Sequence, residues 1–247
     1  MKRIPDNRDE MNQHMGSDCD NPSRNCINCD LKSPLFCFLN EEELALIQLN
    51  KIKVLFRTGE TIRKQGTHMS HVISVVSGLA KVYLEGIGQR NAILSIVKPT
   101  NFIGGPGIYL DQLHHHSVTA LMDTEVCFIE VSIFKQIIDK NKIFAREFMR
   151  DFSQNILSVY SRLINLTQKQ MPGRMADTLI YLSEEVFQSL KFTMYLSKQD
   201  LSELSGMSKE SAIKILREFQ NDGIIHLSEK ELDLVDINAL RRISKTG

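Results

Sequence analysis

The sequence lacks the long apolar run that a membrane helix needs. No stretch approaches the roughly 18 apolar residues of a membrane span, and the chain does not begin with the charged-then-apolar segment of a secretory leader. No Gly-rich loop precedes a helix as in phosphate-binding βαβ enzymes, and no Ser/His/Asp, Cys/His or paired-carboxylate arrangement stands out. We therefore expect a cytoplasmic protein that has no membrane partner and is not an enzyme.

The chain also lacks net charge. It carries 30 Lys and Arg against 30 Asp and Glu over 247 residues, a length sufficient for two domains. Its C-terminal part, 171–247, has ten basic and twelve acidic residues, a net charge of −2. Any contact with DNA must come from a local basic patch, because charges beyond a Debye length of about 8–10 Å are largely screened.

Cysteine is scarce, and four of the five cysteines crowd near the N-terminus, at Cys19, Cys26, Cys29 and Cys37. In a cytosolic chain such a cluster indicates a metal or redox site more than a disulfide framework. The surrounding residues are polar and show no periodicity. We predict that 1–34 form a mobile segment that carries three of these cysteines.

Glycine-punctuated strands dominate the next part of the chain. From Lys53 to about Val131, short β-branched and aromatic runs alternate with glycine, for example HVISVVS before Gly78 and LAKVYLE before Gly86. Strands at this close spacing are typical of a small antiparallel barrel or roll. We assign 35–140 to a jelly-roll-like β-roll domain.

A long helix is predicted from about Ile143 to Lys169. Its apolar positions alternate in steps of four and three: Ala145, Met149, Phe152, Ile156, Val159, Leu163 and Leu166. A heptad seam sustained for three repeats favours a two-stranded coiled coil between subunits, although a core helix packed on its own domain would show the same periodicity. We assign 141–170 to a dimerisation helix.

Two short helices are predicted within LSKQDLSELSGMSKESAIKILREFQNDGII, 196–225. Ser197 and Ser208 suit their N-caps, Gly206 lies in the turn, and Gly223 suits the left-handed position that ends the second helix. This is the helix-turn-helix pattern, whose second helix enters the DNA major groove. A packed helical hairpin with a solvated face is the alternative.

A β-hairpin follows the helical pair. Ser228 and Glu229 interrupt two runs of apolar-polar alternation, so IIHLSEKELDLVD predicts a wing. The predicted fold class is therefore α+β, with an antiparallel β-roll, a long dimerisation helix and a winged helix-turn-helix domain over 171–247.

In this order the elements resemble the CRP/FNR superfamily of bacterial transcription regulators over nearly the full length. The likeness rests on Gly59-Glu60 followed by Gly66, on the VVSG run ending at Gly78, and on the helix-turn-helix stretch. The resemblance implies a cyclic-nucleotide-binding-like roll that senses an effector. It also implies a homodimer that binds a palindromic promoter operator in double-stranded DNA, with RNA polymerase as a further partner.

The resemblance also guides the choice of effector. Cyclic-nucleotide binders of the family hold ribose and phosphate with a Gly-Glu pair and an Arg-Ser or Arg-Thr pair. In this chain Gly105 occupies the position of the Glu, and His116-Ser117 occupies that of the Arg pair. A buried phosphodiester needs a cation, and none is present in this stretch, so cyclic nucleotide binding is not expected. His114, His115 and His116 point in divergent directions, and we predict an exposed polar loop.

The FNR branch instead carries an oxygen-labile 4Fe–4S cluster. By resemblance its ligands would be Cys26, Cys29, Cys37 and Cys127, since thiolates are the soft donors that such a cluster needs. The interval before Cys37 is longer than in the family pattern, and Cys19 could substitute. Cys127 could equally be a buried strand residue, and a zinc site or a thiol switch stays open.

The same branch reads bases with a Glu and with Ser-Arg three and four residues later. The corresponding residues are Glu210, Ile213 and Lys214, which could contact cytosine N4, a thymine methyl group and guanine respectively. The other predicted DNA-contacting residues are Ser197, Ser208, Lys209, Ser211 and Arg217.

A different class of function is also open. The cysteines could carry the function of the protein, and the C-terminal helices could have only a structural role. The protein would then be a cysteine-based redox or metal-binding protein without DNA function.

Overall fold

The computed structural model describes residues 26, 29 and 31–247. The helices within them are α1 (Glu41–Leu49), α2 (Val131–Lys140), α3 (Lys142–Gln168), α4 (Met171–Tyr181), α5 (Lys198–Ser205), α6 (Lys209–Asn221) and α7 (Ile237–Thr246). The strands are β1 (Lys51–Phe56), β2 (Thr61–Arg63), β3 (His71–Ser77), β4 (Ala80–Leu84), β5 (Ala92–Val97), β6 (Phe102–Ile103), β7 (Ser117–Ala120), β8 (Thr124–Glu130), β9 (Lys191–Thr193), β10 (His226–Leu227) and β11 (Glu231–Asp233).

The first eight strands form two antiparallel sheets that face each other. Their strand orders are β1-β8-β3-β6 and β2-β7-β4-β5. Alternate residues of both sheets point inward and are buried together, among them Val75 and Val126 from one sheet and Val82 and Val118 from the other. The predicted antiparallel roll is confirmed.

Helices α1 and α2 and the first turns of α3 cover one end of the roll. Phe134 of α2 stacks on Phe102 with ring centroids 5.0 Å apart, and Phe144 and Phe148 of α3 complete this apolar layer. Cys26 belongs to the same layer: it is buried, and its backbone N–H donates to Gln48 Oε1 at 3.0 Å.

The mobile segment over 1–34 stays a prediction, although Cys26 within it is buried. Packing against the α1–α2 layer fixes this cysteine, and the Ser33 side chain caps a following 3-10 helix, Pro34–Phe38. Of the other residues of this segment the structure describes only 29 and 31–34, and Cys19 lies outside the described residues.

Helix α3 is the long helix that the heptad seam predicts. Its 27 residues span about 40 Å at 1.5 Å per residue. Asn141 caps it by accepting from the backbone N–H groups of Ile143 and Phe144. Beyond Phe152 the eight residues 153–160 are all exposed. The alternative of a core helix packed on its own domain is thus contradicted for this part of α3.

The C-terminal elements form the predicted winged helix-turn-helix. Ser197 caps α5 in a reciprocal capping box with Asp200, and Ser208 caps α6 by accepting from Ser211 N. Gly206 and Gly223 both adopt the left-handed conformation. Strands β10 and β11 form the wing hairpin, and β9 extends it to three strands.

The winged domain is docked on the roll. Leu79, Ile93, Ile96 and Leu121 of the roll are buried in the same apolar cluster as the core of α4–α7. Among the described residues no helix combines the length and apolar character needed to cross a membrane.

Polar contacts reinforce this docking. The Lys81 ammonium on β4 pairs with Asp200 at the start of α5, the Ile96 N–H donates to the Tyr181 hydroxyl at 2.9 Å, and Arg162 of α3 donates to the Leu204 carbonyl. Together these contacts connect α3 and the roll to the helix-turn-helix.

Candidate DNA-binding and effector sites

Helix α6 presents one face to solvent and one to the core. Ala212, Ile215, Leu216 and Phe219 are buried, which fixes the rotation of the helix about its axis. The opposite face forms a shallow depression lined by Glu210, Ile213, Lys214, Arg217, Glu218 and Asn221. The structure thus brings four predicted DNA-contacting residues onto one accessible surface. It adds Glu218 and Asn221, which lie one further turn along the same face.

The start of α6 stabilises the charged form of Glu210. Its own backbone N–H and the Ser208 hydroxyl bind the carboxylate and lower the pKa of Glu210. Near neutral pH the side chain is therefore an acceptor only, as pairing with a cytosine amino group requires. Lys214 lies 3.9 Å from Glu218, and this exposed pair contributes little energy.

The other predicted DNA-contacting residues differ in solvent exposure and in whether their polar atoms are already hydrogen-bonded. Lys209 is exposed at the start of α6, and Ser211 is half-buried behind it. The Ser197 hydroxyl, although exposed, donates to Asp200 Oδ2 at 2.6 Å and accepts from Asp200 N at 3.1 Å. The Ser197 hydroxyl therefore has no hydrogen left to donate to a phosphate. A phosphate at the start of α5 would be bound by backbone N–H groups instead.

An apolar stripe follows the solvent side of α3. Of the seam residues, Met149 is 60% exposed and Leu163 57% exposed, while Ala145 and Phe152 are half-buried. The remaining seam residues, Ile156, Val159 and Leu166, are also exposed. Three further apolar residues outside the heptad pattern widen the stripe, namely Leu157, Tyr160 and Ile164.

Three of the four candidate cluster ligands lie in one neighbourhood. Burial raises the pKa of the Cys127 thiol on β8; the Lys51 charge opposes this shift, whereas charges at Cys26 and Cys29 add to it. These thiols are thus close enough to interact electrostatically. Cys37 is exposed on its 3-10 helix and is absent from the charges acting on Cys127. No group of three or more metal-binding side chains among the described residues is already placed to hold an ion.

The histidine triplet is not the exposed loop that the sequence predicts. His114 is buried, and His115 and His116 are half-buried. The stretch around His116 contains no cation, as its sequence shows, but β2 brings one beside it from elsewhere in the chain. Arg63 is 5% exposed, and its Nη2 donates to His116 Nε2 and, at 3.2 Å, to the Gly104 carbonyl.

The match to known families follows the two halves of this architecture. Residues 53–141 match the cyclic nucleotide-binding domain, and residues 173–243 match the Crp-like helix-turn-helix domain. The chain belongs to the CRP/FNR superfamily of transcription regulators. For members of this superfamily the helix-turn-helix domain implies DNA binding and dimerisation.

Individual CRP/FNR relatives cover nearly the whole chain. The transcriptional regulatory protein btr of Bordetella pertussis is 24% identical over 225 residues, which are 88% of this chain and 92% of the relative. The anaerobic regulatory protein of Haemophilus influenzae is 24% identical over 231 residues, 90% of this chain and 88% of the relative. The structure of FixK2 from Bradyrhizobium japonicum shares the fold with a TM-score of 0.73 at 17% identity, covering 80% of this chain and 98% of FixK2.

We expect acid to destabilise this CRP/FNR roll through His116. Burial, then the Arg63 charge, lowers the pKa of His116 from 6.5 to about 3. Below 6.5 the unfolded chain takes up a proton that the folded chain does not, so stability present at neutral pH is lost as the pH falls from 6.5 towards 3. Thermal unfolding between pH 7 and pH 4 should show a shallower decline for His116→Gln than for the control His115→Gln. Identical declines would contradict the assignment.

We expect Gly206→Ala to destabilise the helix-turn-helix. A non-glycine residue in the left-handed conformation costs about 1–2 kcal/mol, and the new Cβ would also overlap Leu166 Cδ2 at the end of α3. Gly223→Ala is the matched control, because Gly223 has the same backbone conformation with no atom within 4 Å of an added Cβ. In urea unfolding Gly206→Ala should lose about 1 kcal/mol more than Gly223→Ala. Equal losses would show that the Leu166 contact contributes nothing.

Proposed function

We propose that this protein is a non-enzymatic, dimeric transcription regulator that binds a palindromic operator and changes its DNA affinity in response to a signal sensed in its N-terminal part. The observation that carries the proposal is the solvent-facing surface of α6. It combines an ionised carboxylate, two cations and an apolar residue on a helix whose other face is held in the core. Such a surface suits base edges and phosphates in a major groove.

The stripe on α3 supports the dimer. Apolar side chains that are about half exposed along 27 residues of helix favour association with a second copy in a two-fold arrangement. A two-fold dimer would place two α6 helices about 34 Å apart, one turn of DNA. We assign the interface to the seam residues together with Leu157, Tyr160 and Ile164. Contact with RNA polymerase is part of the same proposal.

Selection from a random double-stranded DNA library tests this function. The full chain should enrich an inverted repeat with half-sites one helical turn apart, and its affinity should fall steeply with salt. Enrichment of nothing, with affinity independent of salt, would instead favour the cysteine-based redox or metal-binding protein.

For the signal we propose an oxygen- or redox-labile 4Fe–4S cluster. The convergence of Cys26, Cys29 and Cys127 supports it, and so does the name of the Haemophilus relative, which is an anaerobic regulator. The donor set has the right chemistry, but among the described residues no three metal-binding side chains are placed to hold an ion. The fourth ligand would be Cys37 or Cys19.

A bound cluster would make the protein sensitive to oxygen, because oxygen would determine whether the cluster is assembled. The residues that would hold it connect the segment at Cys26 to β8 and thereby to the layer packed on α3, which offers a route to the dimer interface. Anaerobic purification followed by iron and sulfide analysis tests the cluster. Cys26→Ser, Cys29→Ser and Cys127→Ser should each abolish it, and Cys37→Ser compared with Cys19→Ser identifies the fourth ligand. A colourless protein that dimerises and binds DNA in air would contradict the proposal.

A further inference from the structure

The connection between α3 and the winged domain does not by itself fix their relative orientation. Only Lys169 and Gln170 separate Gln168, the last residue of α3, from Met171, the first residue of α4. Both connecting residues have extended backbone conformations, so α3 does not continue into α4. Rotation about their dihedral angles would swing the whole winged domain, because each residue has two soft dihedrals. The orientation of α6 relative to α3 must therefore come from other contacts.

Helix α5 supplies such contacts, because residues on both its apolar and its polar face are buried. A helix that packs on a single core normally keeps its polar face in solvent. In α5, however, all of the residues 200–205 are buried, including the polar side chains of Asp200, Ser202 and Glu203. Strand β5 of the roll lies against this helix. The first helix of the helix-turn-helix is therefore enclosed between its own domain and the roll.

Two cationic side chains hold α5 from two different elements. The Lys81 ammonium on β4 pairs with Asp200 at the start of α5, and these side chains are only 17% and 9% exposed. Arg162 on α3 donates to the Leu204 carbonyl near the end of α5 and, at 3.4 Å, to the Leu94 carbonyl on β5. Helix α3, the roll and the helix-turn-helix thus meet at a single guanidinium.

The ion pair between Lys81 and Asp200 makes the docking sensitive to one side chain. Removing one partner of a buried ion pair is strongly destabilising, because the other charge is left uncompensated. Without Lys81, the Asp200 carboxylate regains water only if α5 moves away from the roll. The capping box between Asp200 and Ser197 lies within the winged domain and does not need the roll. Loss of Lys81 should therefore weaken the docking and leave the winged domain folded.

The docked arrangement leaves the surfaces for DNA and for a second subunit uncovered. Ser197, Lys209 and Arg217 are exposed, and so is the apolar stripe on α3. Docking therefore does not block the recognition surface but restrains its position relative to the stripe. In a two-fold dimer this restraint sets the distance and the angle between the two α6 helices.

We propose that Lys81 and Arg162 are positioning residues for operator binding. By holding α5 against the roll and α3, they determine which spacing between half-sites the dimer accepts. This role rests on the proposed function, because it requires a dimer that binds an inverted repeat. Adding or removing one base pair between the half-sites shifts them by about 3.4 Å and rotates them by about 35°. A dimer with docked winged domains cannot follow that change, whereas a dimer with released winged domains can.

Binding of the full chain to three kinds of duplex tests this role. They are the inverted repeat that the wild-type chain selects, the same repeat with its spacer changed by one base pair, and a single half-site. The wild-type protein should lose about tenfold or more in affinity when the spacer changes. Lys81→Met should bind the selected repeat about tenfold more weakly than wild type and bind all spacers alike, because a mobile tether lowers the effective concentration of the second module without favouring one spacing. Its affinity for the single half-site should equal that of wild type.

Lys135→Met is the matched control. Each of the two lysines lies over a tyrosine ring, Lys81 at 5.4 Å from the centroid of Tyr83 and Lys135 at 5.3 Å from that of Tyr109. Lys135, however, belongs to α2, at the end of the roll that α1 also covers. This variant should keep the affinity and the spacing preference of wild type. Arg162→Met should sediment as a dimer and lose the spacing preference, and it decides the question if Lys81→Met does not fold.

Three results for Lys81→Met would overturn the positioning role. Weaker binding to the single half-site would show that Lys81 only stabilises the winged domain. Tighter binding to the selected repeat would show that docking inhibits DNA binding. A spacing preference identical to that of wild type would show that the ion pair does not set the spacing. A wild-type chain that binds no DNA at all would instead overturn the proposed function, and the positioning role with it.

Discussion

Leu163→Glu should convert the dimer to a monomer and lower operator affinity by about 100-fold or more. Linking two binding modules raises overall affinity by about 10²–10⁴ over one module, and a monomer loses that gain. Leu163 is 57% exposed in the single chain, so a carboxylate here costs little in folding. In a two-fold interface, however, it would lie in an apolar seam beside its symmetry copy, where two buried like charges repel.

Analytical ultracentrifugation and anisotropy on the selected operator measure both effects. Leu49→Glu is the matched control, because Leu49 at the end of α1 is 82% exposed and far from α3 in sequence. It should leave both the dimer and its DNA affinity unchanged. A Leu163→Glu protein that sediments as a dimer and binds the operator normally would show that the stripe on α3 is not the interface.

Glu210→Ala and Arg217→Ala should weaken DNA binding in different ways. Loss of the Glu210 carboxylate should remove about 1–3 kcal/mol of discrimination at one base pair in each half-site and leave non-specific affinity unchanged. Loss of Arg217 should weaken every sequence alike and reduce the slope of log affinity against log salt by about 1 per subunit. Both side chains are exposed, so neither change should alter thermal stability.

Binding of each variant to a library of single-base operator variants, at several salt concentrations, separates these results. Glu218→Ala serves as a control for removing a carboxylate from the same face without touching the predicted base-reading residue. If Glu210→Ala and Arg217→Ala cause the same uniform loss on all sequences, the base-reading role of Glu210 is wrong.

Local sequence signals predicted the local structure well. The N-caps Ser197 and Ser208 act within three residues of themselves, and each accepts a backbone hydrogen bond from that range. The left-handed glycines and the wing turn follow from equally short-range preferences. The fold class is confirmed because these signals, together with strand spacing and one long helical period, occur in a consistent order.

The features that sequence reasoning missed are non-local. Arg63 meets His116 across 53 residues of sequence, and Lys81 meets Asp200 across 119, so neither pair has a spacing signal. The exposed apolar stripe on α3 is wider than the heptad seam, because a heptad counts seam positions only and Tyr160 is exposed beside them. The burial of His114 depends on the packing of the two sheets. The sequence indicates only the directions in which adjacent side chains point, and these do not reveal that packing.

The docking of the winged domain limits how this protein can be engineered. A chimera that joins a foreign sensor to this winged domain between α3 and α4 would divide the shared apolar cluster. Roll residues such as Ile93 and Ile96 would then no longer cover the winged domain. The chimera would also separate Lys81 from Asp200, whose other carboxylate oxygen closes the capping box of α5. A foreign sensor would therefore need a matching apolar surface and a cation at the position of Lys81. The natural exchange unit is the entire docked pair of domains.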